Sequence, residues 1–455
     1  MISTSVLVFL LSRAPAALPP ALHEQTFELA RPSEVVAAIT AGCERCAWGT
    51  KGREAATLAL SVDGRYSRHL VLARGERAQE YRVLLGPFEA GPHRLRVGVD
   101  GRATARGVGR VSVETVVFET VDDGFRDHVA LAHAPILHAR PNAIGKFTDL
   151  PLVMWYETEP TARGTRIRYS VVFSNEDGGT PPDRLMATWG RLTDIEFAYG
   201  VELDAEGRIL GEAYQGGDHE ILPFAGRREG RHPLLWVVTD NNMLADRGVT
   251  SVRYAPAPIP FDLSGVSREA VMDANPWTYR VSSEEARREG RVSEGARPGT
   301  KKIPDPRRFA YLEACAETED VAITFAVGVA GPGGATAWHA SDGARAGFRI
   351  ERSPDHFPNG CFRGAVALPK DTQPDGIRGI RVRAFTRRPR KGEPPLPRGS
   401  GHACLLRVNK LFLLREDDLP GPTVFEWTGD APLVPGGPSH ELALPRPERP
   451  SSNAC

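Results

Sequence analysis

The chain has 455 residues, 41% of them hydrophobic and 25% charged, a composition that excludes wholesale disorder and, at roughly 100–200 residues per domain, predicts several domains. Its 57 basic residues balance 57 acidic ones, so the one-signed surface needed for broad nucleic-acid binding is not expected. The 46 glycines and 38 prolines fall mainly between short apolar runs, the pattern of a β-rich chain with many turns.

The apolar run from Met1 to Leu11, followed by the small residues of Ser12-Arg-Ala-Pro-Ala-Ala17, has the outline of a signal peptide over residues 1–21. No Lys or Arg precedes the run, and a buried strand would read the same way. Export, to a periplasm or beyond the cell, is the expectation. No other stretch approaches the ~18 apolar residues of a membrane helix, so no transmembrane segment is expected in the mature chain. The cysteines are Cys43, Cys46, Cys315, Cys361, Cys404 and Cys455, and an even number in an exported chain permits disulfides. Cys43-Glu-Arg-Cys46 is half a zinc site, a redox pair or a tight disulfide. It lacks a second close pair and a βαβ context, which favours the disulfide. The remaining pairings stay open.

Residues 24–118 predict a β-sandwich. The runs Ala56–Val62, His69–Ala73, Tyr81–Leu85 and His93–Val97 are β-rich, and turns at Asp63-Gly64, Glu89–Pro92 and Asp100-Gly101 separate them. Residues 119–260 predict a second β-rich unit, with strands at Pro151–Tyr156, Arg166–Phe173, Asp194–Leu203 and Leu234–Val238. Residues 261–306 change character. Ser282 and Glu285 stand at capping-box spacing in a charged run, which predicts a short surface helix, with linker after it. Residues 307–435 return to β, and residues 436–455 read as a Pro-rich disordered tail. The fold class is mostly β: two or three β-sandwich-like domains with a short helical or linker insertion.

One constellation carries chemistry. In the strand from Asp194, the residues Ile195, Phe197, Tyr199, Val201 and Leu203 alternate onto one face, and Asp194, Glu196 and Glu202 fall on the other. Asp204-Ala-Glu-Gly207 predicts a hairpin turn. If Leu203 pairs with Arg208, Glu196 faces Gln215, and His219 lies diagonal to Asp194 at roughly 5–8 Å. A one-residue slip would bring Asp218 and Glu220 there instead. Asp194, Glu196 and His219 together suit a divalent cation, calcium or zinc, or the acid/base work of a metal-dependent hydrolase. The plainer alternative is a solvated polar face, ion-paired to Arg191, Arg208 or Arg227.

Other candidates carry less. Asn175-Glu-Asp-Gly-Gly179 lacks EF-hand spacing and reads as a turn. His133 and His138 flank Pro135 as structural histidines. The basic stripe containing Arg381, Arg383, Arg387 and Arg388 offers an anion site for a phosphate or acidic glycan, or else a solvated strand. No GxSxG, HExxH, Walker or GxGxxG element stands in a suitable context.

The segment running from Ala134-Pro-Ile-Leu-His138 through Tyr169–Asn175 to Trp189 and Asp194-Ile-Glu196 resembles the Vps62-related family over the middle third of the chain. The family's Gly before the Asp is Thr193 here, and its Trp between Asp and Glu is Ile195. The resemblance implies a β-rich middle unit and draws attention to Asp194 and Glu196. It implies no catalytic role, since the family has no established activity. The favoured function is binding of a glycan or another cell-envelope component; the alternatives are the hydrolase and a structural envelope protein without a ligand.

Overall fold

A computed structural model of the protein describes residues 19–125, 127–296, 300–351, 360–390 and 392–443. Most of the expected signal peptide, the end of the tail and Cys455 lie outside the described residues. The chain is mostly β, built as three pairs of facing sheets with a helical segment between the second and third pairs.

In the first pair, a four-stranded sheet (Ala21–Leu29, Gly91–Val99, Thr57–Val62, Arg65–Val71) faces a three-stranded one (Gln79–Phe88, Ser33–Cys43, Val111–Val121). Val35, Ile39, Leu58, Leu60, Leu95 and Val97 fill the space between them. The Asp63-Gly64 turn joins the strands of one hairpin with φ of 52° and 75°, the left-handed pair that a two-residue connection requires. Ser33–Cys43 is buried on both faces: Val35, Ala37 and Ile39 enter this core, while Val36 packs into the next one.

In the second pair, a six-stranded sheet runs in the order Ile221–Pro223, Ile209–Gln215, Asp194–Leu203, Gly164–Phe173, Pro151–Thr161, Ile259–Pro260. It covers a smaller sheet built around His232–Val237 and Ile136–His138, with Tyr169, Val171, Phe173, Tyr199, Val201 and Leu235 between them. The other face of the large sheet, carrying Val153, Trp155, Val172 and Ile195, is apolar as well. It packs on Met186, Val271, Met272 and Tyr279 of the helices, and on Tyr311 and Phe412 of the third pair. That third pair closes on Leu312, Ile323, Phe325, Ile380, Val382, Leu405 and Leu411.

The insertion is not a surface helix capped by Ser282. The helix runs Trp277–Arg288 after Pro276, and Ser282, Ser283 and Glu285 are buried within it. The polar composition of the run disguised a buried face, on which Tyr279, Val281 and Ala286 pack into apolar clusters. Arg288 donates to the carbonyls of Trp48 (2.9 Å) and Phe147 (2.6 Å), tying the helix to the first two sandwiches.

Candidate functional site

The hairpin expected to carry Asp194, Glu196 and His219 exists, but its face is reversed at one end. Tyr199 pairs with Tyr169 and Phe197 pairs with Ser170, so a β-bulge falls at Ala198. Asp194 lies opposite Phe173 and Glu196 opposite Val171, both residues of the inter-sheet core. The carboxylates therefore share a face with Tyr199, Val201 and Leu203, and Ile195 packs on the opposite side with the helices. A solvated acidic face is thus corrected to a buried one. The return strand is also shifted, with Leu203 paired to Ile209 and not to Arg208.

The residues still meet. Gln215 Nε2 donates to Glu196 and lies 3.0 Å from His219 Nδ1, which is itself 3.8 Å from Glu196 Oε2. Asp194 Oδ2 accepts from Asn242 Nδ2 at 2.9 Å, with Arg191 3.8 Å away. Burial, and then the charge of Asp194, holds Glu196 well above the usual carboxylate range. The same two causes push Glu176 up to about 7. Burial and a neighbouring negative charge both disfavour the ionised form of a carboxyl group. The result is a buried group of carboxylates with the His219 imidazole at its exposed edge. Among the described residues, no group of three or more His, Cys, Asp or Glu side chains is placed to hold a metal ion.

The basic stripe is compensated where it stands. Arg381 lies 2.9 Å from Glu441 and over the Trp338 ring, Arg387 contacts Asp320 (2.8 Å) and Glu393 (2.6 Å), and Arg388 contacts Glu351 (2.8 Å). Arg383 donates to the Gly437 carbonyl at 3.2 Å. Disulfides join Cys43 to Cys46 and Cys315 to Cys361.

A site absent from the sequence reading is a groove of about 580 Å³ at the junction of the units. Its lining comes from Arg74 and the strand Gln79–Phe88 of the first sandwich, from Leu150–Val153 and Tyr254–Ala257 of the second, and from Ala274–Trp277 and Arg280 of the helical segment. The free edge of Gln79–Phe88 supplies the floor. Val83 bridges Pro256, Leu84 N donates to Ala255 O (2.9 Å), and Ala257 N donates to Arg82 O (3.1 Å). Those bonds cover a strand edge and fix one wall against the other. Arg74 lies over the rings of Trp277 (4.7 Å) and Tyr81 (5.7 Å). The contributing residues are far apart in the chain and share no motif, so pattern reading had nothing to find.

No family model matches the chain, and no curated protein matches it. Among solved structures, the chain is similar to one described as "EclA C-terminal domain; sugar-binding protein", at 17% sequence identity and a TM-score of 0.17, over 23% of this chain and 73% of that one.

Proposed function

We propose that this is an exported binding protein whose ligand is a glycan or another saccharide-bearing component of a cell surface, held in the groove between the sandwiches. The observation that carries this reading is the groove itself. Its 580 Å³ volume falls in the range of small-ligand sites, and it lies at a junction of structural units, where such sites concentrate. Its walls combine apolar and aromatic surface (Val71, Leu152, Tyr81, Trp277) with hydrogen-bonding groups (Gln79, Asn275, Arg280). Sugars need both, because their C–H faces pack on apolar and aromatic surface and their hydroxyls need polar partners. Two disulfides support an oxidising compartment. Among the described residues, no helix is long and apolar enough to cross a membrane.

The test is retention of the full-length protein on an array of cell-surface oligosaccharides, repeated with Ala274→Trp. Ala274 is an exposed residue of the lining, so a large ring there fills the groove without emptying a core. The expected outcome is saccharide binding that falls at least about ten-fold in the variant, with an unchanged melting temperature. Retention on no saccharide would overturn the reading, and so would binding indifferent to the new ring.

A further inference from the structure

The groove is unevenly charged: its lining includes Arg74, Arg82 and Arg280 against the single carboxylate of Glu80. Two of the three arginines have partners. Arg82 is paired with Glu119, and Arg280 Nε donates to the Asp417 carbonyl at 2.9 Å.

Arg74 is different. Among the described residues its guanidinium makes one hydrogen bond, from Nη1 to the Glu80 carbonyl at 2.7 Å, and no ion pair. Its Nε is buried without a partner. The rings of Trp277 and Tyr81 hold it in place without supplying a full counter-charge. The Tyr81 hydroxyl accepts from the Arg74 backbone N–H at 3.1 Å, which fixes the turn that presents it. Burial pushes the Arg74 guanidinium below its ordinary pKa, and the opposing charge of Glu80 only partly offsets it.

The start of a helix also borders the groove. The twelve-residue helix Trp277–Arg288 starts at the groove, and Ala274–Trp277 line it. The helix has no acidic residue in its first turn and no side-chain cap. Its first-turn N–H groups at Thr278 and Tyr279 bond the carbonyls of Asn275 (3.0 Å) and Pro276 (3.2 Å), so what the helix start brings to the groove is the Arg280 side chain.

We infer that the groove takes a saccharide bearing an oxyanion, a carboxylate or a sulfate, and that Arg74 receives that charge at the rings of Trp277 and Tyr81. The inference rests on the saccharide-binding reading above and narrows its ligand class. A guanidinium presents a planar fork of N–H donors that matches an oxyanion, and two aromatic walls reduce the motion lost on binding.

The experiment is calorimetric titration of the full-length protein with trigalacturonate, a sulfated galactotriose and neutral galactotriose, at low and high salt. The expected result is that at least one anionic ligand binds about ten-fold or more tighter than the neutral one, a preference that shrinks with salt. Arg74→Gln should reduce the preference to about two-fold or less, with an unchanged melting temperature. Arg280→Gln should reduce it part of the way, and it serves as the readout if Arg74→Gln does not fold. Equal affinities for all three sugars, or a preference that survives Arg74→Gln, would overturn the inference and leave the saccharide reading standing. No binding of any of the three would overturn the inference, and retention on no saccharide of the array would overturn both.

Discussion

At the scale of single residues, the molecule keeps several titratable groups away from water, and this has a consequence for acid stability. His133 is buried, and neither ring nitrogen finds a hydrogen-bond partner among the described residues. Burial, then the charges of Arg231 and Arg228, push it down to about 4. In the unfolded chain an imidazole accepts its proton near pH 6.5. The stability His133 contributes is therefore present above that pH and is lost as the pH falls from about 6.5 through 4. Between pH 7.5 and 5 the expected loss from this residue is at most about 2 kcal/mol. Urea unfolding at the two pH values should show a smaller difference in His133→Leu than in the parent protein. An equal difference in both would refute the assignment. The neighbourhood of Glu196, Gln215 and His219 was legible from hairpin spacing. Its burial was not, because one extra residue at Ala198 transfers every side chain before it to the other face. The available signal was Gly200, where a Cβ would stand 3.2 Å from the Phe197 ring; a glycine inside a strand marks such a close approach.

At the scale of elements, the helical segment is held to the third sandwich by a buried charge network. Arg363, fully buried, bonds Asp273 at 2.6 and 2.9 Å and Glu313 at 2.6 Å, and Lys410 adds a contact to Asp273 at 2.7 Å. Burial alone would raise both acids, yet Arg363 holds Asp273 and Glu313 below the usual range. Removing the cation strips the buried Glu313 of its ion pair, leaving it the neutral donors Ser267 and Asn409, and leaves Asp273 to Lys410. Arg363→Met is expected to cost about 3–5 kcal/mol and to open residues 261–290 to limited proteolysis before the sheets unfold. A variant with parental stability and parental cleavage would show that the network is dispensable. Sequence reading located this insertion but took its charges for surface, since composition does not reveal which polar residues find partners 46 to 137 positions away.

At the scale of the whole molecule, the β-sandwich character was legible because alternating runs and Gly/Pro punctuation are local signals. The groove was not, because it exists only where one sandwich presents the edge of Gln79–Phe88 to Tyr254–Ala257 and the helix start closes the third side. Arg74 sits in a turn and Trp277 begins a helix, and neither position reads as a site until the units are assembled. The central claim is that this junction is where the protein holds its ligand. Hydrogen–deuterium exchange of the full-length protein, with and without saturating trigalacturonate or galactotriose, tests it most directly. The account predicts that ligand slows exchange together in residues 74–84, 254–257 and 274–280, three stretches distant in the chain that line the groove. Protection confined to the hairpin of residues 194–219 or to the arginine strand at 377–388, or absent from all three groove stretches, would contradict it.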